Sequence, residues 1–182
     1  MLLLPATAAR RMPWKNGAGF TTVLATDADV WSWRLAIADV PSRAAFSPYP
    51  DVDRQLSLLE GEGLWLEIDG ARCRAPREGH AVAFRGEARV IGEPVGDGVR
   101  DVNLMVRRGI WRGALQMLAT GATDVTGDVV VVHAIGGAIS VSSEAAMTTV
   151  PGGATLLTTG CANVRCDGGA TAAIATMQAA QG

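Results

Sequence analysis

The chain has 182 residues, of which 48% are hydrophobic and 19% charged, and this composition is typical of a globular protein with a sizeable core. Its formal net charge of −2 and pI near 5.7 leave no basic face, which argues against nucleic acid as a partner. The longest apolar run of interest, Val129 to Val132, has the length of a strand and is far too short to cross a membrane.

The first residues, MLLLPATAARR, form a short apolar stretch that Pro5 interrupts and that no basic leader precedes. We therefore expect no signal peptide. The cysteines Cys73, Cys161 and Cys166 follow no metal-binding spacing, and we interpret them as reduced, mostly buried thiols. Together these features predict a cytoplasmic protein.

The segment WKNGAGFTT raises the question of a phosphate-binding loop, because Gly17 and Gly19 lie close together. A nucleotide-binding loop requires its lysine after the glycines and a helix behind them. Here Lys15 precedes the glycines and the β-branched stretch from Phe20 predicts a strand, so the phosphate hypothesis is rejected. We expect a tight turn with Lys15 and Asn16 at the rim of a pocket. The alternative for Asn16 is a purely structural bond to the turn backbone.

Alternation of apolar and polar residues predicts strands along most of the chain. In WSWRLAIADV one face carries large apolar residues: Trp31, Trp33, Leu35 and Ile37. The opposite face presents Arg34 among small residues that leave room for its guanidinium. Arg34 therefore predicts a cavity in which a carboxylate is bound through two hydrogen bonds. An exposed arginine, or one paired with Asp101, is the alternative.

The middle of the chain supplies further polar candidates. In FSPYPDVDRQL, Phe46 and Ser47 fall in a loop, and Arg54 is either a ligand contact or, as we favour, an ion-pair partner of Asp51 or Asp53. The segment LSLLEGEGLWLEIDG predicts two strands joined by a turn at residues 60–63. The helix candidates are weak, one near Ala44 and a turn at residues 115–118.

The segment DVNLMVRRG alternates in the same way, with its valines and Leu104 on one face. Asp101 and Asn103 share the other face, where they would orient donor groups of a ligand. Polar residues of an edge strand in water are the alternative. We interpret Arg107 and Arg108 as a solvated strand end.

A weak repeat relates the two halves of the chain. Gly63, Gly79 and Gly86 match Gly137, Gly153 and Gly160 at a displacement of 74 positions. Because glycines serve turns that need positive φ, duplicated turns would keep them in register. We expect a first half, residues 1–112, that contains the pocket, and a second half, residues 113–182, that is mainly structural.

Metal and serine chemistry find little support in the sequence. The chain has two histidines, His80 and His133, and neither has a ligand at metal-binding spacing. No G-x-S-x-G motif is present for a serine nucleophile. We therefore expect no metal and no cofactor. Acid–base catalysis by Asp53, Asp101 or His80 is left open.

Four ordered segments, PWKNGAGFTTVLA, WSWRLAIADV, FSPYPDVDRQLSLLEGEGLWL and RDVNLMVRRG, resemble the HutD/Ves family. Departures from the family pattern are Ala18, the pair Val23-Leu24, Ala36 and Asp51. The resemblance implies an all-β, cupin-type double-stranded β-helix or jelly roll that is duplicated as a bicupin. It also implies a regulatory or accessory role in histidine utilisation without the usual cupin metal. The matching motif positions are Trp14, Lys15, Asn16, Gly17, Arg34, Phe46, Ser47, Asp53, Arg54, Asp101, Asn103 and Arg107.

Three functions compete at this point. The leading hypothesis is a metal-free cupin that binds a small carboxylate, such as urocanate or N-formylglutamate, as a sensor of histidine breakdown. The second is a metal-independent isomerase or hydrolase, and the third is a protein-interaction module; a homodimer is left open. The predicted ligand-binding residues are Lys15, Asn16, Arg34, Phe46, Ser47, Arg54, Asp101 and Asn103.

Overall fold

The computed structural model describes residues 1–14, 17 and 19–181. Lys15 and Asn16, two of the predicted ligand-binding residues, lie outside the described residues. The described chain is built of β-strands apart from one turn of 3₁₀-helix at Ala6–Ala8. This agrees with the strand alternation of the sequence and confirms the all-β fold class.

Twelve strands come from the first 107 residues: β1 (Leu2–Leu4), β2 (Arg10–Pro13), β3 (Phe20–Thr26), β4 (Trp33–Val40), β5 (Ala44–Ala45), β6 (Val52–Glu60), β7 (Gly63–Ile68), β8 (Ala71–Arg74), β9 (Gly79–His80), β10 (Val82–Arg85), β11 (Val90–Val95) and β12 (Val99–Arg107). Six follow: β13 (Trp111–Leu118), β14 (Gly121–Ile135), β15 (Ile139–Ser142), β16 (Met147–Val150), β17 (Thr155–Cys166) and β18 (Thr171–Ala179).

The strands form three sheets, and neighbouring strands in each sheet are antiparallel. Sheet 1 has the order β10-β6-β12-β4-β3-β2, and sheet 2 has the order β5-β11-β7-β8. Sheet 3 has the order β16-β15-β17-β14-β18-β13-β9, with β1 beside β17. Strands β1 and β9, from the first part of the chain, thus belong to the sheet of the second part.

Three apolar clusters show how the sheets are stacked. Sheets 1 and 2 face each other across a cluster that includes Leu56 and Leu64, which are fully buried. Sheet 3 curls around a second cluster of its own, centred on residues such as Val132 and Ile174. A third cluster joins the other face of sheet 1 to sheet 3, with Leu35 packed in it. Sheet 1 is therefore the wall shared by the two halves.

Strand β4 shows why this wall has two different faces. Trp33, Leu35 and Ile37 point into the apolar cluster against sheet 3. Since side chains alternate along a strand, Arg34 and Ala36 point the other way, into the space between sheets 1 and 2. The predicted alternation is thereby confirmed from Trp33 onward. Trp31 does not lie on this apolar face, because it precedes β4, which begins at Trp33.

The helix expected near Ala44 and the turn expected at residues 115–118 are wrong. Ala44 and Ala45 form the short strand β5, and residues 115–118 are part of β13. Leu115 and Met117 alternate into the cluster between sheets 1 and 3, which extends the strand. The expectation of mostly buried thiols fails at Cys161, which is exposed, and holds at Cys166.

The two halves repeat the same arrangement of neighbouring strands. In sheet 1 the order β6-β12-β4 occurs, and in sheet 3 the order β14-β18-β13 occurs at the corresponding places in the chain. Gly79 and Gly153, one of the matched glycine pairs, both have positive φ, at 72° and 83°. These features are consistent with the duplication that the sequence suggested.

The turn before β3 requires a glycine at position 19, which leads to a stability prediction. A Cβ added to Gly19 would collide with the carbonyl oxygen of Asp39 and approach the Trp14 ring to 3.2 Å. Gly19→Ala should therefore lower the free energy of unfolding by about 1–3 kcal/mol, as measured by urea denaturation. Gly63→Ala is the matched control, because its Cβ meets only the guanidinium of exposed Arg74, which can move aside. Equal losses in the two variants would contradict this account.

Candidate functional site

A half-open cavity of about 290 Å³ lies on the face of sheet 1 that is turned away from sheet 3. Its wall is formed by side chains of β2, β3, β4, β6 and β12 and by the loop before β6. The residues around it are Met12, Pro13, Trp14, Thr21, Arg34, Ala36, Ala38, Phe46, Ser47, Tyr49, Arg54, Asp101, Asn103 and Met105. Four of the predicted ligand residues with long or polar side chains, Arg34, Arg54, Asp101 and Asn103, are brought together here.

A second, more open groove of about 500 Å³ runs past Arg11, Asp39, Glu60 and Arg100. The four charged side chains named are already paired, since Arg11 contacts Asp39 and Arg100 contacts both Asp39 and Glu60. The cavity differs because several of its buried polar atoms have no partner among the described residues. We therefore take the cavity as the candidate functional site.

Strand register arranges the cavity wall in rows across three neighbouring strands. Met105 of β12 pairs with Arg34 of β4 on one side and with Arg54 of β6 on the other. Two residues along β12, Asn103 lies between Ala36 and Leu56. A further two residues along, Asp101 lies between Ala38 and Leu58. One end of the wall therefore carries two arginines and the other a carboxyl group.

Arg34 is half-buried beside two aromatic rings. Its guanidinium carbon lies 4.7 Å from the centroid of the Trp31 ring and 5.5 Å from that of Tyr49. Its Nη2 is 3.4 Å from the Tyr49 hydroxyl, while its Nε has no partner. The small neighbours on β4 leave the guanidinium facing the cavity, so Arg34 retains donors for an anion.

Arg54 is only 6% exposed, and three aromatic rings surround it. Its guanidinium carbon lies 5.0 Å from the Phe84 centroid and 5.5 Å from the Phe46 centroid. Nη1 donates to the carbonyl oxygen of Ser47 at 3.3 Å, and Nε has no partner. Burial lowers the pKa of Arg54 to about 10, against the opposing effect of Asp101, so the side chain remains a cation at neutral pH.

The ion pair favoured for Arg54 is wrong. Asp53 pairs with Arg108 at 2.9 Å, and Arg108 also contacts Glu87 at 3.1 Å. Asp53 and Arg54 are adjacent on β6 and therefore point to opposite faces of the sheet. Arg108 is thus held by two carboxylates, which also corrects the interpretation of the Arg107-Arg108 pair as a solvated strand end. Arg107 donates from Nε to the carbonyl oxygen of Trp31.

Asp101 and Asn103 lie in the wall of the cavity, on a strand in the interior of sheet 1. The alternative of an exposed edge strand is wrong, because β12 lies between β4 and β6 and Asp101 is 0% exposed. Both carboxyl oxygens of Asp101 and Oδ1 of Asn103 have no hydrogen-bond partner among the described residues. Burial raises the pKa of Asp101 to about 7, although the charge of Arg54 opposes the rise. Asp101 therefore titrates close to neutral pH.

The loop residues Phe46 and Ser47 also border the cavity, as expected. Phe46 packs edge-on against Trp14, with ring centroids 6.1 Å apart. The Trp14 indole donates to Oγ1 of Thr21 at 2.9 Å, which fixes the tryptophan over the mouth. Sequence reasoning missed Tyr49 and Met105 as wall residues. Tyr49 is the only tyrosine of the chain and lies two residues after Ser47, a signal that could have been used.

The other catalytic candidates lie away from the cavity. His80 is exposed on β9, which pairs with β13, and Asp53 is engaged by Arg108 on the face of sheet 1 that is turned towards sheet 3. His133 is buried in sheet 3, with Nδ1 3.0 Å from Oγ1 of Thr155. Within the described residues, no three His, Cys, Asp or Glu side chains cluster as a metal site would require. In that same part of the chain, no helix has the length and apolarity needed to cross a bilayer.

Stacked antiparallel sheets with a cavity on one face of sheet 1 agree with a cupin-type β fold. A cupin 2 barrel domain protein from Leptotrichia buccalis has the same fold, with a TM-score of 0.55 at 8% identity over 91% of both chains. The family model HutD matches residues 6–176 of this chain. The protein belongs to the HutD family.

Named relatives and solved structures agree with this membership. An uncharacterised 21.2 kDa protein in the hutC 3′ region of Pseudomonas putida is 38% identical over 118 residues, which span 63% of this chain and 62% of that protein. Protein Ves of Cronobacter sakazakii is 34% identical over 71% of this chain and 75% of its own length. The match to the P. putida protein therefore spans less than two thirds of that relative.

Two solved structures resemble almost the whole chain. A conserved protein of unknown function from Pseudomonas aeruginosa PAO1 has a TM-score of 0.87 at 29% identity, covering 97% of this chain and 98% of that one. HutD from Pseudomonas fluorescens SBW25, described in a formate condition, has a TM-score of 0.79 at 26% identity with the same coverage. The resemblance to the HutD/Ves family that four sequence segments indicated is confirmed.

Proposed function

We propose that this protein binds a small carboxylate in the cavity and acts as a regulatory or accessory component of histidine utilisation in the cytoplasm. The observation that carries the proposal is the pair of arginines that flank Met105 at one end of the cavity. Each retains an unpartnered Nε, and a carboxylate accepts two such donors in a planar arrangement. Lys15 and Asn16 stay in the proposal as rim residues on the grounds of the family resemblance.

The pathway assignment is supported by the family and by the P. putida relative in the hutC 3′ region. Histidine breakdown supplies carboxylates of suitable size, and urocanate and N-formylglutamate are the candidate ligands. The aromatic side chains Trp14, Phe46 and Tyr49 give the cavity an apolar boundary, which suits an unsaturated or hydrocarbon portion of such a ligand. A homodimer is compatible with this function and is not required by it.

Arg34→Met should weaken binding of these carboxylates by about 10- to 100-fold. Hydrogen bonds to charged groups contribute about 1.5–3 kcal/mol, and methionine fills the space beside Met105 without a charge. The measurement is isothermal titration calorimetry of each pathway acid with the wild-type and variant proteins. Arg10→Met is the matched control, since Arg10 is exposed at the outer edge of sheet 1 and does not border the cavity.

Thermal unfolding provides a second readout of the same proposal. A ligand present at a hundredfold excess over its dissociation constant stabilises the folded state by about 2.7 kcal/mol. Wild-type protein should therefore melt at a higher temperature with the correct acid, and the Arg34→Met protein should be stabilised by only about 0.4–1.4 kcal/mol at that concentration. If no pathway acid at millimolar concentration shifts the wild-type melting temperature, carboxylate binding in this cavity is rejected.

A second candidate function is metal-independent proton transfer with Asp101 as the base. It is favoured by one observation, the buried Asp101 carboxyl that faces the cavity and has a pKa near 7. Such a pKa suits a general base at neutral pH, and the arginines would stabilise an anionic intermediate. Mass spectrometry of each acid after incubation separates the two functions, because a sensor returns its ligand unchanged. Turnover that Asp101→Asn abolishes while binding persists would establish the enzyme.

A further inference from the structure

We infer that Asp101 and Asn103 form an acceptor subsite that selects carboxylates carrying an N–H donor at the end opposite the carboxylate. This inference rests on the proposed function, since it assigns the opposite end of the same cavity. It defines the ligand class more narrowly, as a monoanion with one acidic end and one hydrogen-bond-donating end.

The first support is the linear arrangement of the wall. The arginine row at Met105 and the acidic row at Asp101 are four residues apart on β12, or about 13 Å between Cα atoms at the rise of a β-strand. The guanidinium groups and a bound carboxylate occupy the first part of this length. The remaining part is bordered by Ala36 and Ala38, whose small side chains leave space beside the wall for a flat group.

The second support is the set of unpartnered acceptors at that end. Oδ1 and Oδ2 of Asp101 and Oδ1 of Asn103 are buried, and no donor among the described residues meets hydrogen-bond geometry with them. The neighbouring Asn103 amide lowers the pKa of Asp101, but it can donate to no more than part of this acceptor capacity. Buried polar atoms of this kind are normally satisfied, and a ligand N–H would satisfy at least one of them. A site built to accept a hydrogen bond rejects an analogue without the donor much more strongly than a purely apolar site does.

The third support is charge. A second carboxylate at this end would lie beside the Asp101 carboxyl on β12, with Asp39 of β4 nearby, and like charges in a desolvated site repel. Arg54 of β6 is the cation that acts on Asp101, and it already serves the other end of the cavity. The arrangement therefore favours a neutral donor group such as a ring N–H and disfavours a dicarboxylate. Of the two candidate ligands it favours urocanate over N-formylglutamate, which has two carboxylates.

Two probes of nearly identical shape test the inference, 3-(pyrrol-2-yl)acrylate and 3-(furan-2-yl)acrylate. The first has a ring N–H where the second has an oxygen, and both have the same carboxylate. By calorimetry, the wild-type protein should bind the pyrrole at least tenfold more tightly than the furan. In Asp101→Ala the ratio should fall to threefold or less, while Arg34→Met should weaken both probes and leave the ratio unchanged. Asp29→Ala, at an exposed position, is the matched control.

Each outcome separates the inference from the proposed function. Equal binding of the two probes by the wild-type protein overturns the acceptor subsite and leaves carboxylate binding intact. A preference that survives in Asp101→Ala overturns the role of Asp101. Binding of neither probe, nor of any pathway acid, overturns both proposals together. Should Asp101→Ala fail to fold, the wild-type ratio still decides whether the cavity recognises the donor.

Discussion

The Asp101→Asn protein, free of ligand, should gain stability over the wild type by about 4 kcal/mol as the pH rises from 4 to 8. Burial raises the pKa of Asp101 from 3.8 to about 7, so the folded wild-type protein holds this proton more tightly than the unfolded chain does. Between these two pKa values the folded state binds more protons at Asp101, and the contribution of this group to the stability of the wild type therefore falls as the pH rises. Asparagine does not titrate and removes this fall. One pKa unit corresponds to about 1.4 kcal/mol, which gives the stated magnitude.

Urea denaturation at a series of pH values measures this difference, since only the change with pH is interpreted. Asp29→Asn is the matched control for loss of a carboxyl group at an exposed position. The positive charge of Arg54 remains in the variant, so a constant offset between the two proteins is expected and is not informative. A difference that does not vary between pH 4 and 8 would show that water reaches Asp101 freely, and would remove the basis for a buried acceptor.

A bound carboxylate should change the protonation of Asp101. A carboxylate bound between Arg34 and Arg54 brings a negative charge into the cavity that contains Asp101. Like charges in a desolvated site disfavour ionisation, so binding should be accompanied by partial proton uptake near neutral pH. The buried Asp101 carboxyl, which has no hydrogen-bond partner among the described residues, thus lowers the stability of the ligand-free protein. The same carboxyl contributes to recognition of the ligand. Proteins commonly accept such a cost at sites where they bind ligands.

The sequence predicted those parts of the site that depend on one strand alone. Alternation along β4 was enough to place Arg34 and Leu35 on different faces of the sheet. Alternation along β12 likewise placed Asp101 and Asn103 on the face away from Val102, because side-chain direction in a strand has a period of two. The all-β class and the turn between β6 and β7 followed from the same local rules. Predicting these features does not require knowing which strands are neighbours in the sheets.

The parts that were missed depend on contacts between distant segments. Arg54 looked like a partner of Asp53, but the register of β6 with β12 turns it inward and leaves Asp53 to Arg108, a residue 55 positions away. Trp31 was assigned to the apolar face because the sequence does not show that β4 begins at Trp33. Tyr49 reaches the cavity from a loop, where no periodicity indicates direction. Register and strand ends are set by tertiary packing, which a single sequence does not reveal.

His133 should give the wild type a dependence on pH opposite in sign to that of Asp101. Its ring is 5% exposed, and burial lowers its pKa from 6.5 to about 4, with a small opposing effect of the Ala154 backbone. The unfolded chain therefore binds the proton more tightly than the folded protein, so stability is lost as the pH falls from about 6.5 towards 4. The expected loss is about 3 kcal/mol.

His133→Gln should abolish this acid-side loss while its amide retains a hydrogen bond to Oγ1 of Thr155. Because the losses from His133 and Asp101 run in opposite directions over the same pH range, they largely cancel in the wild type, whose stability should change little between pH 4 and 6.5. Each variant then shows the pH dependence caused by the group that it retains. The His133→Gln protein, which retains Asp101, should become less stable as the pH rises. The Asp101→Asn protein, which retains His133, should become less stable as the pH falls. Urea denaturation of both variants measures these slopes, with His80→Gln as the control for losing an exposed imidazole. Slopes of equal sign in the two variants would contradict the burial of one of these groups.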